Sequence, residues 1–218
     1  MSFTSWNSQR VAGAVMVGAS VLALAAVLHH PHGSGHSQTE LMASLQHLDG
    51  LNRAIHGALI ALSLVIWLSL SEYSVARPRA LVRCAWLSYS VGVLAMIGAA
   101  LTNGFVLSAL VARAAGAEAA QQAEILQLLP LSWAINQTLA AFGLLLYSVA
   151  IALWSLDQWR QSLRAVAAIG LLVSLGLALA WLFGLLRLDV PGMIALVLGH
   201  GLWYAATGLS LLRSAVRA

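Results

Sequence analysis

Seven histidines are the residues in this sequence best suited to chemistry at neutral pH. Imidazole binds transition metals and haem iron, and it can also carry a proton. Five of them fall within residues 29–50, and two stand further along the chain; they are His29, His30, His32, His36, His47, His56 and His200. The first four lie on a segment rich in Pro and Gly, where several imidazoles could capture one metal ion. Their spacing matches no ligand pattern of a metal-binding family.

Amide and aromatic residues recur at helical spacing around the last two histidines and on two other segments. Residues separated by three, four or seven positions share one face of a helix. The residues that this spacing places with the histidines are Asn52, Arg53, Asn103, Trp133, Asn136, Gln137, Trp203 and Tyr204. Each group could line a pocket between helices, so this set is the predicted pocket.

The composition requires lipid as the solvent for the elements that carry these residues. Of 218 residues, 61% are hydrophobic and 8% are charged, whereas about a quarter of the residues of a soluble domain are charged. The basic residues are all Arg, which excludes Schiff-base lysine chemistry, and the single cysteine, Cys84, excludes an internal disulfide or dithiol pair. The net charge of +4 comes from Arg residues flanking apolar runs, so we expect no nucleic-acid partner.

Six apolar runs predict an all-α, polytopic membrane protein built as one domain over residues 1–218. The predicted spans are residues 11–28, 51–71, 81–112, 130–156, 163–186 and 192–212. Short amphipathic surface helices are predicted in the two longer connections, 29–50 and 116–129. In the first, a capping-box pattern from Ser37 to Glu40 precedes leucines at helical spacing. Small residues at four-residue spacing, such as Gly176, Ala180 and Gly184 on the fifth helix, predict close helix packing.

The distribution of Arg residues predicts the orientation of these helices. Eight Arg residues flank one side of the six spans and three flank the other. Because Arg is enriched on the cytoplasmic side, this bias predicts an inner (cytoplasmic) membrane protein with both termini in the cytoplasm. Six aromatic residues at the cytoplasmic ends resemble an interfacial belt; they are Trp67, Tyr73, Trp86, Tyr89, Trp154 and Trp159. All seven histidines then lie on the extracytoplasmic side.

Depth along the helices predicts that the polar groups share one layer. His56 lies about five residues into the second span and His200 about eight residues into the sixth, roughly 8–12 Å below the outer boundary. Asn103 and Asn136 fall at similar depth on two other spans. Polar side chains within a membrane are costly and usually mark a pathway or a binding site.

Two function classes follow from this layer. In the first, the protein binds a b-type haem with His56 and His200 as axial ligands, or it binds Cu or Zn with help from the other histidines. Asp49 and Glu40 would then orient the ligands through hydrogen bonds. In the second, the same layer is the cavity of a transporter or binding protein for a small polar or amphipathic molecule. A subunit of a membrane complex, whose polar layer only fixes helix packing, is the remaining alternative, and the sequence leaves catalysis, cargo and oligomeric state open.

Overall fold

The computed structural model describes residues 3–31 and 38–214, and all regular structure in these ranges is helical. The elements in the first half of the chain are α1 Phe3–Leu28, α2 Gln38–His47, α3 Asp49–Val75, α4 Ala80–Leu101, a π-helical turn Thr102–Val106 and α5 Leu107–Ala115. Three long helices follow, namely α6 Ala119–Arg160, α7 Arg164–Leu182 and α8 Val190–Ser214.

Six of the described segments are long and apolar enough to cross a membrane. They are α1, α3, the continuous segment from α4 through α5, α6, α7 and α8. Many of their aliphatic side chains face outward with no protein partner, which only a hydrocarbon environment tolerates over such lengths. The chain is therefore an all-helical integral membrane protein with six spanning helices, as predicted.

The two connections between spans differ from each other. In the first, α2 is a separate ten-residue helix, in agreement with the prediction for residues 29–50. In the second, the prediction of a separate surface helix is wrong, because the helix that begins at Ala119 continues through Pro130 into the fourth span. Proline removes only one backbone hydrogen bond from a helix. Contacts of Ile125 with Val111 and Ala114 hold the first turns of α6 against α5.

Glycines set the closest helix crossings, but not the glycines that spacing singled out. A Cβ on Gly13 or Gly208 would collide with the backbone carbonyl of the other, so α1 and α8 touch backbone to backbone. On α7, a side chain at Gly176 would meet open space, and Gly184 lies beyond the end of the helix with a φ of +71°. Gly184 thus terminates α7 in the left-handed conformation instead of packing it against a neighbour.

The helices form a bundle with two chemically different ends. We call the end where α1 terminates and α3 and α8 begin the histidine end, and the opposite end, which carries the α3–α4 and α6–α7 loops, the arginine end. Between them lies an aromatic core, in which Tyr73, Tyr89 and Trp154 are fully buried. The prediction that these three belong to an interfacial belt is therefore wrong, because they face the bundle axis.

Candidate functional site

A cavity of about 370 Å³ opens within the bundle at the histidine end. Most of its wall is aliphatic, with contributions from α1, α3, α4, α6, α8 and the loop before α8. Its polar and aromatic lining consists of Ser20, His30, His56, Ser63, Tyr89, Asn103, Trp133, Asn136, Gln137, Tyr147, Asp189, His200 and Tyr204. The matching depth of the polar groups in the sequence thus corresponds to a shared cavity wall in the structure.

Three residues of the predicted pocket lie outside this wall. Asn52 donates hydrogen bonds from its amide to the carbonyl oxygen of Asn103 at 3.2 Å and to the Ser108 hydroxyl at 3.4 Å. Arg53 is exposed and forms an ion pair with Asp49 at 3.0 Å. Trp203 is buried on another face of α8, where its indole N–H donates to Gln158. Helical spacing alone therefore did not distinguish the residues that line the cavity from their neighbours on the same helices.

His56 owes its position in the wall to the π-helical turn opposite it. Gly104, at the centre of that turn, faces the His56 side chain so closely that a Cβ at Gly104 would overlap the imidazole. The Asn52 amide bonds the Asn103 carbonyl within the same turn, which ties α3 to it. The Nδ1 atom of His56 lies 2.9 Å from the Asn52 carbonyl oxygen. A carbonyl only accepts, so Nδ1 carries the proton and Nε2 of the neutral ring presents a lone pair.

His30 faces His56 across the histidine end of the cavity. The two Nε2 atoms are 3.4 Å apart, and the rings meet edge to face with centroids 4.9 Å apart. Sequence reasoning grouped His30 with the loop histidines, although its backbone N–H still bonds the Val27 carbonyl in the last turn of α1. The signal that could have found it was the helical spacing from Ala23 to Val27 to His30, since all three line the cavity.

His200 occupies a deeper and drier part of the wall. Its side chain is 4% exposed, and its ring contacts the edge of Tyr147 with centroids 5.7 Å apart. Among the residues that the structure describes, its Nε2 atom has no hydrogen-bond partner. A buried polar nitrogen without a partner costs about 1–3 kcal/mol. This atom can therefore bind a polar group of a guest molecule without first giving up another bond.

Sequence reasoning placed Tyr204 in the pocket but missed the tyrosine cluster to which it belongs. The hydroxyls of Tyr89 and Tyr204 are hydrogen-bonded at 2.8 Å, and the rings of Tyr89 and Tyr147 stack with centroids 4.5 Å apart. A Cβ on Gly92 would touch the Tyr147 ring, so this glycine leaves room for the stack. The three tyrosines come from three different helices, and a single sequence carries no signal that links them.

The remaining predicted ligands are scattered. His29 and His47 are exposed at the ends of α1 and α2, and the His29 ring bonds the carbonyl of Ala25 on its own helix. Glu40 is exposed on α2. His32 and His36 lie outside the described residues.

The structure thus joins only part of the predicted ligand set. Within residues 3–31 and 38–214, no three His, Cys, Asp or Glu side chains form a metal-sized group. His56 and His200 line the same cavity, but His56 faces His30 while His200 packs on tyrosines. A haem held by His56 and His200 stays a prediction.

No protein-family model, no curated protein and no solved structure matches this chain.

Proposed function

We propose that this protein binds a small amphipathic molecule in the cavity at the histidine end, as a membrane carrier or binding protein. The observation that carries the proposal is that His200 lines the cavity and that its buried Nε2 atom has no partner among the described residues. The ligand would place its apolar body against the aliphatic wall and a hydrogen-bonding group near His200 and Tyr204.

The size and composition of the cavity support a small-molecule ligand. Ligand sites usually enclose about 300–1,000 Å³ and combine mainly apolar walls with a few polar groups that fix orientation. This cavity, at about 370 Å³, lies near the lower limit. Its polar groups come from five spanning segments, and such groups are expensive in a membrane unless they serve a ligand or a pathway.

The loop between α7 and α8 borders the cavity and favours entry from the histidine end. Leu188 and Asp189 line the wall, and the Gln137 amide donates to the Leu188 carbonyl at 3.0 Å. Trp133 lines the same region and is exposed on its outer side. Gln137 ties this loop to α6, and Asp189 accepts from the Gly192 N–H at the start of α8. A short loop with few such bonds can open at lower cost than a packed helix crossing.

The Arg distribution favours an inner membrane with the histidine end outside and both termini in the cytoplasm. Single cysteines at Ala117 and Ala76, in a Cys84→Ser background, test this orientation. An impermeant thiol reagent applied to spheroplasts should label the thiol introduced at Ala117 and leave the one introduced at Ala76 unlabelled. The reverse result would place the cavity on the cytoplasmic side.

Co-purification of small molecules tests the proposed function. The full chain and its variants are purified from membranes, extracted with solvent, and compared by mass spectrometry. Ala100→Phe narrows the cavity at an apolar position of its wall, and Ala61→Phe adds the same ring to an exposed position on α3. We expect a species bound near one per chain to be lost in Ala100→Phe and kept in Ala61→Phe. Equal content in all three proteins, or none in the unaltered chain, would contradict the proposal.

A haem is the second candidate ligand, favoured by the fact that His56 and His200 line one cavity. Bis-histidine ligation is typical of b-type haems in membrane helices. The absorption spectrum of the same preparation decides the matter. A Soret band that disappears in His200→Leu supports haem, and a colourless protein excludes it.

A further inference from the structure

The facing imidazoles of His30 and His56 have a geometry that the cavity ligand does not explain. Their Nε2 atoms are 3.4 Å apart; His30 lies just beyond the end of α1, and His56 lies on α3. A hydrogen bond to a ring nitrogen is usually shorter, about 2.7–3.2 Å between heavy atoms. The direct contact between the two rings is therefore a long hydrogen bond.

The separation matches two ligands of one tetrahedral metal ion. Zinc binds imidazole nitrogen at about 2.0–2.1 Å. At the tetrahedral angle, two such nitrogens are separated by about 3.3–3.4 Å. The distance between the Nε2 atoms of His30 and His56, 3.4 Å, has this value.

The protonation of His56 also suits a metal ligand. Its Nδ1 proton is held by the Asn52 carbonyl, which leaves the Nε2 lone pair directed away from the backbone of α3. Histidines that bind metals usually donate their other ring nitrogen to a carbonyl or carboxylate in this way, because the bond fixes the ring orientation. The backbone at Gly104 lies so close to His56 that it limits the orientations open to the ring.

We propose that His30 and His56 bind one divalent transition-metal ion, Zn²⁺ by geometry, with its remaining positions open to the cavity. Both residues line the cavity, so water or a polar atom of a bound molecule would complete the coordination. An ion with open positions polarises whatever oxygen or nitrogen it binds. The metal site goes beyond the proposed carrier function, and either one can hold without the other.

Cobalt is the probe for this site, since tetrahedral Co²⁺ absorbs visible light and can be displaced by Zn²⁺. The full chain is titrated in detergent in a background in which His32 and His36, outside the described residues, are both replaced by Ala. We expect one Co²⁺ per chain with tetrahedral bands that Zn²⁺ removes. His30→Gln and His56→Gln should each weaken binding at least about tenfold.

His29→Gln and His47→Gln are the matched controls, because both histidines are exposed and stand apart from the pair. Neither should change the affinity. Helical content measured by circular dichroism shows whether each variant has folded, and His30→Gln, at the end of α1, gives the site a second test if His56→Gln does not fold. Binding that is absent in the background protein, or that survives both His30→Gln and His56→Gln, would overturn the site. Small-molecule content in His30→Gln remains measurable by co-purification, so failure of the metal site is distinguishable from failure of the carrier function.

Discussion

The two ends of the bundle bury polar groups in opposite ways. At the arginine end, the charged and amide groups bind one another. Asp157 is 1% exposed and forms an ion pair with Arg79 at 3.0 Å. Gln158 accepts from the Trp203 indole and donates to the Thr207 hydroxyl, both at 3.2 Å. At the histidine end, by contrast, polar side chains line a cavity, and the Nε2 atom of His200 has no partner among the described residues.

A missing hydrogen bond alone does not identify a site. The indole nitrogen of Trp154 and the hydroxyl of Ser155 also lack partners among the described residues. Neither lines the cavity, whereas His200 does. His200 thus combines a missing partner, among the described residues, with a position in the cavity wall. We therefore regard the polar groups of the arginine end as structural and those of the histidine end as ligand-binding.

The largest expected effect on stability is at the arginine end. Asp157→Ala should lower the free energy of unfolding by about 2–3 kcal/mol, because it leaves Arg79 without its partner and removes one of the two acceptors of the Gln161 amide. The expected cost is below that of a fully buried pair because the Arg79 side chain is 47% exposed. Thermal unfolding in detergent measures the change.

Asp49→Ala is the control for this prediction. It breaks the surface ion pair with Arg53 on α3, and a pair of that kind contributes at most about 0.5 kcal/mol. If the two substitutions destabilise the protein equally, the ion pair of the buried Asp157 contributes no more to stability than the surface pair does.

A matched pair of leucine substitutions tests the comparison directly. Gln158→Leu should cost about 2 kcal/mol, because it leaves the Trp203 indole and the Thr207 hydroxyl buried without their partner. His200→Leu should leave stability unchanged or raise it, because its Nε2 gives up no hydrogen bond to any described residue. The same substitution should abolish small-molecule binding. If His200→Leu destabilises as much as Gln158→Leu, His200 belongs to the structural class.

The smallest expected effect concerns the contact between α3 and the π-helical turn. Gly104→Ala should cost about 1–2 kcal/mol and weaken Co²⁺ binding, because the added methyl group displaces His56. Gly57→Ala, at the residue that follows His56 on α3, places a methyl group 3.9 Å from Phe105 and should be neutral or slightly stabilising. Unfolding and Co²⁺ titration of both variants measure the difference. Equal behaviour of the two alanines would show that His56 does not depend on Gly104.

Much of the site could be predicted from residue type and depth. A histidine or amide within an apolar run is expensive wherever the helix sits, so His56, Asn103, Asn136 and His200 stood out before any contact was known. Their common depth followed from the fixed rise of the helix. Asn52, Arg53 and Trp203 lie outside the lining of this cavity, because neighbouring positions on a helix face differ by only part of a turn.

Composition and helix rise fix the solvent, the six spans and the layer at which polar groups occur, so these could be derived from the residues alone. The tertiary structure adds the partners that meet across helices. It joins His30 to His56, stacks Tyr89 on Tyr147, and brings His200 into the cavity wall with its Nε2 atom unpartnered among the described residues. These contacts depend on the rotation and crossing of each helix. Those are set by backbone approaches such as Gly13 to Gly208, whose effect no local pattern records.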